Sequence, residues 1–136
     1  MIDLSVVDGL DVAYAEGSPC LVATASREGD PDIAFKGSLM IFDRDHLAWW
    51  ERSHGTTLAH LRENPRVAAI YRSGPRNQLW RFFGRAELYA DGDLRQRVMD
   101  RTIQAELDRD PERKGVAVLV RVDRVLGRGV EQRREE

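Results

Sequence analysis

Lysine is scarce in this chain. Of 21 basic residues only Lys36 and Lys114 are lysines. Lys36 lies in Asp32-Ile33-Ala34-Phe35-Lys36-Gly37-Ser38-Leu39-Met40-Ile41-Phe42, which alternates as one strand. Lys36 and Ser38 fall on one face, and Phe35, Leu39 and Ile41 on the other. Further on, Ser53-His54-Gly55-Thr56-Thr57 opens a short amphipathic helix that stops at Asn64-Pro65. A helix start offers free N–H groups and the positive end of the helix dipole. A lysine and hydroxyls brought to that spot would make a phosphate site. By position alone, the plainer reading of Lys36 is a stem that snorkels to solvent from a strand edge.

Other reactive side chains read as ordinary. His54 and His60 are six apart, which does not place them on one helical face for shared ligation, and His46 sits beside a turn. No metal site is expected. There is no nucleophile elbow, no Gly-x-Gly-x-x-Gly and no P-loop. Trp49 and Trp50 are adjacent on a strand, so they point to opposite sides, and one of them must meet a helix, a ligand or a second subunit. Trp80 shares a face with Phe82 and Leu88 and reads as core. Arg81 and Arg85 lie on the opposite face. Arg85 reads as a cross-strand or solvated cation, and Arg81 stays open between that and an anion contact.

These residues need elements to position them. Asp8 to Glu16 reads as a short helix stopped by Gly17, and Cys20 to Ser26 as a strand. Arg27 to Pro31 is a turn, so the strand through Lys36 forms a hairpin with its predecessor. His46 to Glu51 is a short strand. The helix then runs roughly from His54 to Glu63, with Leu58 and Leu61 facing the core. Strands follow over Arg66–Arg72 and Gln78–Ala90. Asp91-Gly92-Asp93 caps a helix through about Asp108, with Leu94, Val98, Ile103 and Leu107 inward. Gly115 to Leu126 is the last strand, and the charged tail from about 127 to 136 is expected to be flexible. Consecutive strands joined by tight turns pair antiparallel. The fold class is therefore an α+β protein, a small antiparallel β-barrel with accessory helices, in a single domain spanning 1–136.

Composition narrows the function. With 21 basic and 23 acidic residues the net charge is −2, which argues against nucleic-acid binding by bulk electrostatics. No apolar run approaches membrane-spanning length. Met1-Ile2-Asp3-Leu4 does not look like a secretory leader. Cys20 is the only cysteine, which leaves no internal disulfide. These features lead us to expect a protein of the reducing cytoplasm.

The ordered set of segments resembles the pyridoxamine 5'-phosphate oxidase-like family, the FMN-binding split barrels. The matching pieces are Leu21-Val22-Ala23-Thr24-Ala25, the turn Gly29-Asp30-Pro31, Ile33 to Ile41 with Lys36-Gly37-Ser38, Thr57 to Ala68 through Asn64-Pro65-Arg66-Val67, and Phe83 to Leu88. The resemblance implies a homodimer with FMN at the subunit interface. It implies phosphate contacts from Lys36, Gly37 and Ser38 and from Thr56 and Thr57. The backbone at Leu39 and Met40 would lie along the flavin ring. Trp50 and Glu51 would stand beside the cofactor, and Gln78 or Arg81 would reach in from the partner. Two departures matter. Thr56-Thr57 stand where the oxidases proper carry an Arg-Lys pair, so Arg52, Arg62 or Arg81 would have to compensate the phosphate. The arginine-containing C-terminal segment that binds pyridoxal substrates has no counterpart after Leu126. The implied activity is therefore FMN-dependent oxidation or reduction of another small molecule. The alternatives are a reductase using the deazaflavin F420, or a stress-related protein that holds flavin without turnover.

Overall fold

Eight strands form one antiparallel sheet in a computed structural model that describes residues 1–135. They are β1 (Leu21–Ala25), β2 (Pro31–Phe35), β3 (Met40–Asp43), β4 (His46–Glu51), β5 (Arg66–Ser73), β6 (Gln78–Tyr89), β7 (Val116–Gly127) and β8 (Val130–Arg133). Three helices join them: α1 (Thr56–Glu63), α2 (Gly92–Arg101) and α3 (Gln104–Leu107). The strand order is β2-β1-β5-β6-β7-β4-β3, with β8 also on β7. This is the split-barrel class expected from the sequence. The sheet curls but no ladder closes it, because β2 and β3, neighbours in the chain, occupy its two ends.

Alternation places the core. Val22, Val67, Ala69, Tyr71, Phe82, Ala86, Val120 and Val122 point inward with Leu47 and Trp49, and Leu4 and Leu10 of the N-terminal segment close over them. A second cluster lies outside the sheet, where α2 packs Val98 on Met40, Phe42, Ala48, Ala117 and Leu119. Trp49 and Trp50 do point to opposite sides. Both are 1% exposed, because each side of β4 has its own cover.

Four expectations need correction. The segment from Asp32 to Phe42 is two strands, not one. The Leu39 N–H bonds back to the Lys36 carbonyl at 3.1 Å, and this turn separates β2 from β3. Gly37 permits it, since a Cβ there would meet the Tyr14 ring at 2.8 Å. The long second helix breaks at Thr102 and Ile103, both extended, where the Thr102 hydroxyl donates to the Val98 carbonyl at 2.8 Å. Asp91 makes no side-chain cap bond at its start. The Asp8–Glu16 helix shrinks to a 3-10 turn at Leu10–Val12, entered through Gly9 at φ +87°. Within the charged tail a short strand, β8, pairs Val130 with Gly127 and Arg133 with Arg124.

The two end strands of the main path, β2 and β3, differ. On β3 the Asp11 carboxylate accepts the Ile41 N–H at 2.7 Å, and Arg101 donates to the Ile41 and Phe42 carbonyls at 2.7 and 2.5 Å. On β2, Ile33 and Phe35 are 70% and 67% exposed.

Candidate functional site

The β2–β3 turn and the loop after β4 enclose a cavity of about 220 Å3 lined by Phe35, Lys36, Trp50, Glu51, Arg52, Ser53 and Glu106. Its charges are arranged in pairs. Lys36 Nζ lies 2.9 Å from Glu51 Oε1 and 3.1 Å from Oε2. Glu51 is 2% exposed and also accepts the Trp49 indole N–H at 2.9 Å. Burial of this carboxylate is tolerated because all its partners are donors. Arg52 donates to Glu106 at a longer 3.4 Å, and its side chain is 34% exposed. The four charges sum to zero.

Trp50 forms one wall and is locked from behind. Its indole N–H donates to Asp110 at 2.9 Å, and the Arg95 guanidinium sits 4.7 Å from its ring centroid. Asp110 also accepts the Lys114 and Gly115 N–H groups at 2.9 and 2.8 Å. Burial alone would raise the Asp110 carboxyl. Those N–H donors and the Trp50 indole outweigh it and hold the group below its ordinary range. A Cβ at Gly115 would collide with the indole, so a glycine is needed for this approach.

The cavity thus brings together Lys36, Trp50 and Glu51 of the sequence-derived candidates. Ser38 lies beside it: its buried hydroxyl accepts the Trp50 N–H at 2.9 Å and donates to the Trp50 carbonyl at 3.2 Å, which splices the turn onto β4. Leu39 is buried in the inner core, Gly37 packs on Tyr14, Thr56 is exposed and Thr57 is buried. Gln78 stands at the β5–β6 hairpin, where its side-chain oxygen accepts the Asp8 N–H and the Trp80 indole. Arg81 lines a separate apolar groove of about 200 Å3, with Leu21, Ala23, Ile33, Ala68 and Phe83 among its walls. Phe35 lines the cavity, and Ile33, on the same face of β2, lines the groove. The two depressions therefore adjoin along one strand.

Glu106 was not legible as a site residue. The signal available was an acid between Ala105 and Leu107. The histidines have separate partners: His54 the Lys114 carbonyl, His60 the Thr24 hydroxyl, His46 the carboxylates of Asp43 and Asp45 at 2.8 and 2.9 Å. Asp45 is at the same time paired with Arg134 at 3.0 Å.

The donor set fits a phosphate. Two cations and the Ser53 hydroxyl face one cavity, and the half-exposed Arg52, on its long bond, is the cation most easily exchanged from its carboxylate. Thr56 begins α1 a few residues on, and no side chain caps that helix start.

The pyridoxamine 5'-phosphate oxidase family model matches residues 11–127. No curated protein matches the sequence. Among solved structures, HupZ of Group A Streptococcus is 19% identical with a TM-score of 0.68, over 95% of this chain and 98% of that one. An FMN-binding protein of Syntrophomonas wolfei is 15% identical with a TM-score of 0.70, over 92% and 87%. An F420 reductase is 15% identical with a TM-score of 0.60, over 88% and 97%. At these identities the likeness shows the shared fold.

Proposed function

We infer that this chain, which belongs to the pyridoxamine 5'-phosphate oxidase family, is an FMN-dependent oxidoreductase acting on a small molecule other than pyridoxamine phosphate. One observation carries the reading. A polar cavity with two cations, of which the half-exposed Arg52 is the readily exchanged one, adjoins an apolar groove along β2, which suits a flat ring bearing a phosphate at one end. Lys36, Arg52, Ser53 and Thr56 would hold the phosphate. The flavin supplies hydride transfer, while the protein supplies position and exclusion of water. Glu51 is the candidate proton carrier.

The same reading includes a homodimer with the cofactor between subunits. Ile33 and Phe35, both largely exposed, support it, because burying them needs a second surface. Gln78 and Arg81 lie outside the cavity and would join it from the partner. Cys20 suits the reducing cytoplasm: buried, with its thiol pushed up to about 12 chiefly by burial, it is not poised as a thiolate.

The deazaflavin alternative follows from the F420 reductase of the same fold. It would need a long basic groove leading from a cavity whose charges are already balanced. Purified protein titrated with FMN and with F420 decides between them. Saturable FMN binding, followed by bleaching of the yellow colour with NADH or NADPH, is the expected result. Binding of F420 without FMN would overturn it in favour of the deazaflavin. Bound FMN with no electron exchange would leave a flavin holder.

A further inference from the structure

Glu106 is the weakly held charge of the cavity. Its side chain is 9% exposed, and among the described residues its only ion pair is the 3.4 Å contact with Arg52. Glu51 is better served, since Lys36 reaches both of its oxygens and the Trp49 indole donates to one. The segment that carries Glu106 is tied on both sides, so the carboxylate does not turn out to water. The Thr102 hydroxyl donates to the Val98 carbonyl at 2.8 Å before α3, and Arg113 donates to the Leu107 and Asp110 carbonyls at 2.8 and 2.7 Å after it. The Glu106 carboxyl carbon lies 3.4 Å from where a Cβ on Gly37 would stand, which packs it on the β2–β3 turn. The groups that face it are Arg52, the Lys36–Glu51 pair across the cavity, and Tyr14, whose ring lies on the same glycine. On its own segment Asp108 accepts a bond from Gln104, Asp110 accepts the Trp50 indole N–H, and Arg109 is exposed.

An anion that takes Arg52 leaves this carboxylate buried without its cation. A buried charge so stranded takes a proton rather than staying ionised. The charge count agrees. Lys36 and Arg52 are already balanced by Glu51 and Glu106, so a dianion entering alone adds two uncompensated negative charges, and a proton halves that excess. We propose that Glu106 is a specificity-determining residue, which admits an anion at Arg52 only when a proton comes with it. This rests on the reading of the cavity as a phosphate site. The anions it accepts are phosphate monoesters, whose second pKa of about 6 lets a proton be shared between a phosphate oxygen and Glu106. Sulfate has nearly the same shape and charge but carries no proton at neutral pH, so two unprotonated oxyanions would meet. The site takes phosphate and refuses sulfate.

The test is thermal shift and calorimetry on the wild type and Glu106→Gln, with inorganic phosphate, sulfate and FMN at matched ionic strength. Phosphate should raise the wild-type Tm and sulfate should not exceed a chloride control, whereas Glu106→Gln should respond to both. FMN binding to the wild type at pH 8, measured in two buffers of different ionisation heat, should take up about one proton. Its affinity should fall about tenfold between pH 7 and pH 8. Glu106→Gln should take up no proton and show no such fall. FMN bound without a proton, or sulfate bound as well as phosphate while FMN binds, overturns the proposal and leaves the flavin reading standing. Equal proton uptake by Glu106→Gln also overturns it, since the proton then lies elsewhere. Phosphate preferred to sulfate without any FMN binding removes the flavin and keeps Glu106 in its role. No response to any of the three anions removes both. If Glu106→Gln does not fold, the wild-type anion preference and proton count decide alone.

Discussion

Replacing Glu51 by Gln removes a charge and almost no volume, so its effect reads the Lys36–Glu51 pair directly. At 2.9 Å and an effective dielectric of about 20, the gross attraction is about 6 kcal/mol. Much of that offsets the cost of taking both groups out of water, where their side chains keep 12% and 2% exposure. What the substitution exposes is a lysine left buried without its counter-charge. Such a loss costs about 3–5 kcal/mol when burial is complete, and the solvent window at Lys36 places this case near 3 kcal/mol. The Trp49 indole keeps an acceptor in the Gln carbonyl. Urea unfolding should show the midpoint falling by roughly 1–2 M with an unchanged slope. The double variant Lys36→Met/Glu51→Gln should recover most of the loss, because no orphaned ammonium remains. FMN should raise the Tm of Glu51→Gln more than that of the wild type, since its phosphate would supply the missing anion. A Glu51→Gln midpoint equal to the wild type's would refute the buried pair. A double variant as unstable as the single one would refute the uncompensated charge as the cause.

Arg52→Ala should weaken FMN binding about tenfold while leaving urea stability within about 0.5 kcal/mol, since the residue is half-exposed and its bond to Glu106 is long; fluorescence titration and unfolding measure the two. Gly115→Ala should destabilise by about 1–3 kcal/mol through overpacking against the rigid Trp50 ring, and calorimetric Tm reads it. Asp110 titrates below its ordinary 3.8 in the folded chain, so its contribution is full above that pH and is lost as pH falls through the depressed value. Acid unfolding should therefore be less steep below about pH 3.8 in Asp110→Asn, which should also be destabilised near pH 7 by about 1–2 kcal/mol. Ile33→Asp/Phe35→Asp should shift the sedimentation profile from dimer to monomer; a wild type that is already monomeric would end the interface reading.

Local chemistry explains what the sequence showed. His46–Glu51 emerged with the bounds read from it, because a turn precedes it and a polar loop follows it. The β1–β2 hairpin was legible from Gly29 and Pro31. The break at Lys36 was hidden, since alternation continues across the turn and only the Gly37–Tyr14 approach, a long-range contact, requires it. β8 was hidden because Val130-Glu131-Gln132-Arg133 has the charge of a solvated tail. It is held by β7 and by the N-terminal segment, whose Asp3 N–H reaches Gln132 at 2.8 Å. In the cavity, Lys36 and Glu51 were legible by residue type. Their pairing was not, because the sequence does not show that a turn and a strand end will meet. Glu106 was hidden for the same reason, and the expected helix through Asp108 concealed the bend that aims it at Arg52.

Side chains seal one margin of the sheet and leave the other open. Asp11 and Arg101 occupy the hydrogen-bonding groups of β3, so no extended peptide can dock there without evicting them. Along β2 the bare margin carries Ile33 and Phe35, so an added strand would find both backbone partners and apolar side chains there. Fibril growth, domain exchange and peptide capture by this protein should all begin at that margin, and a proline at Ala34 would test all three together.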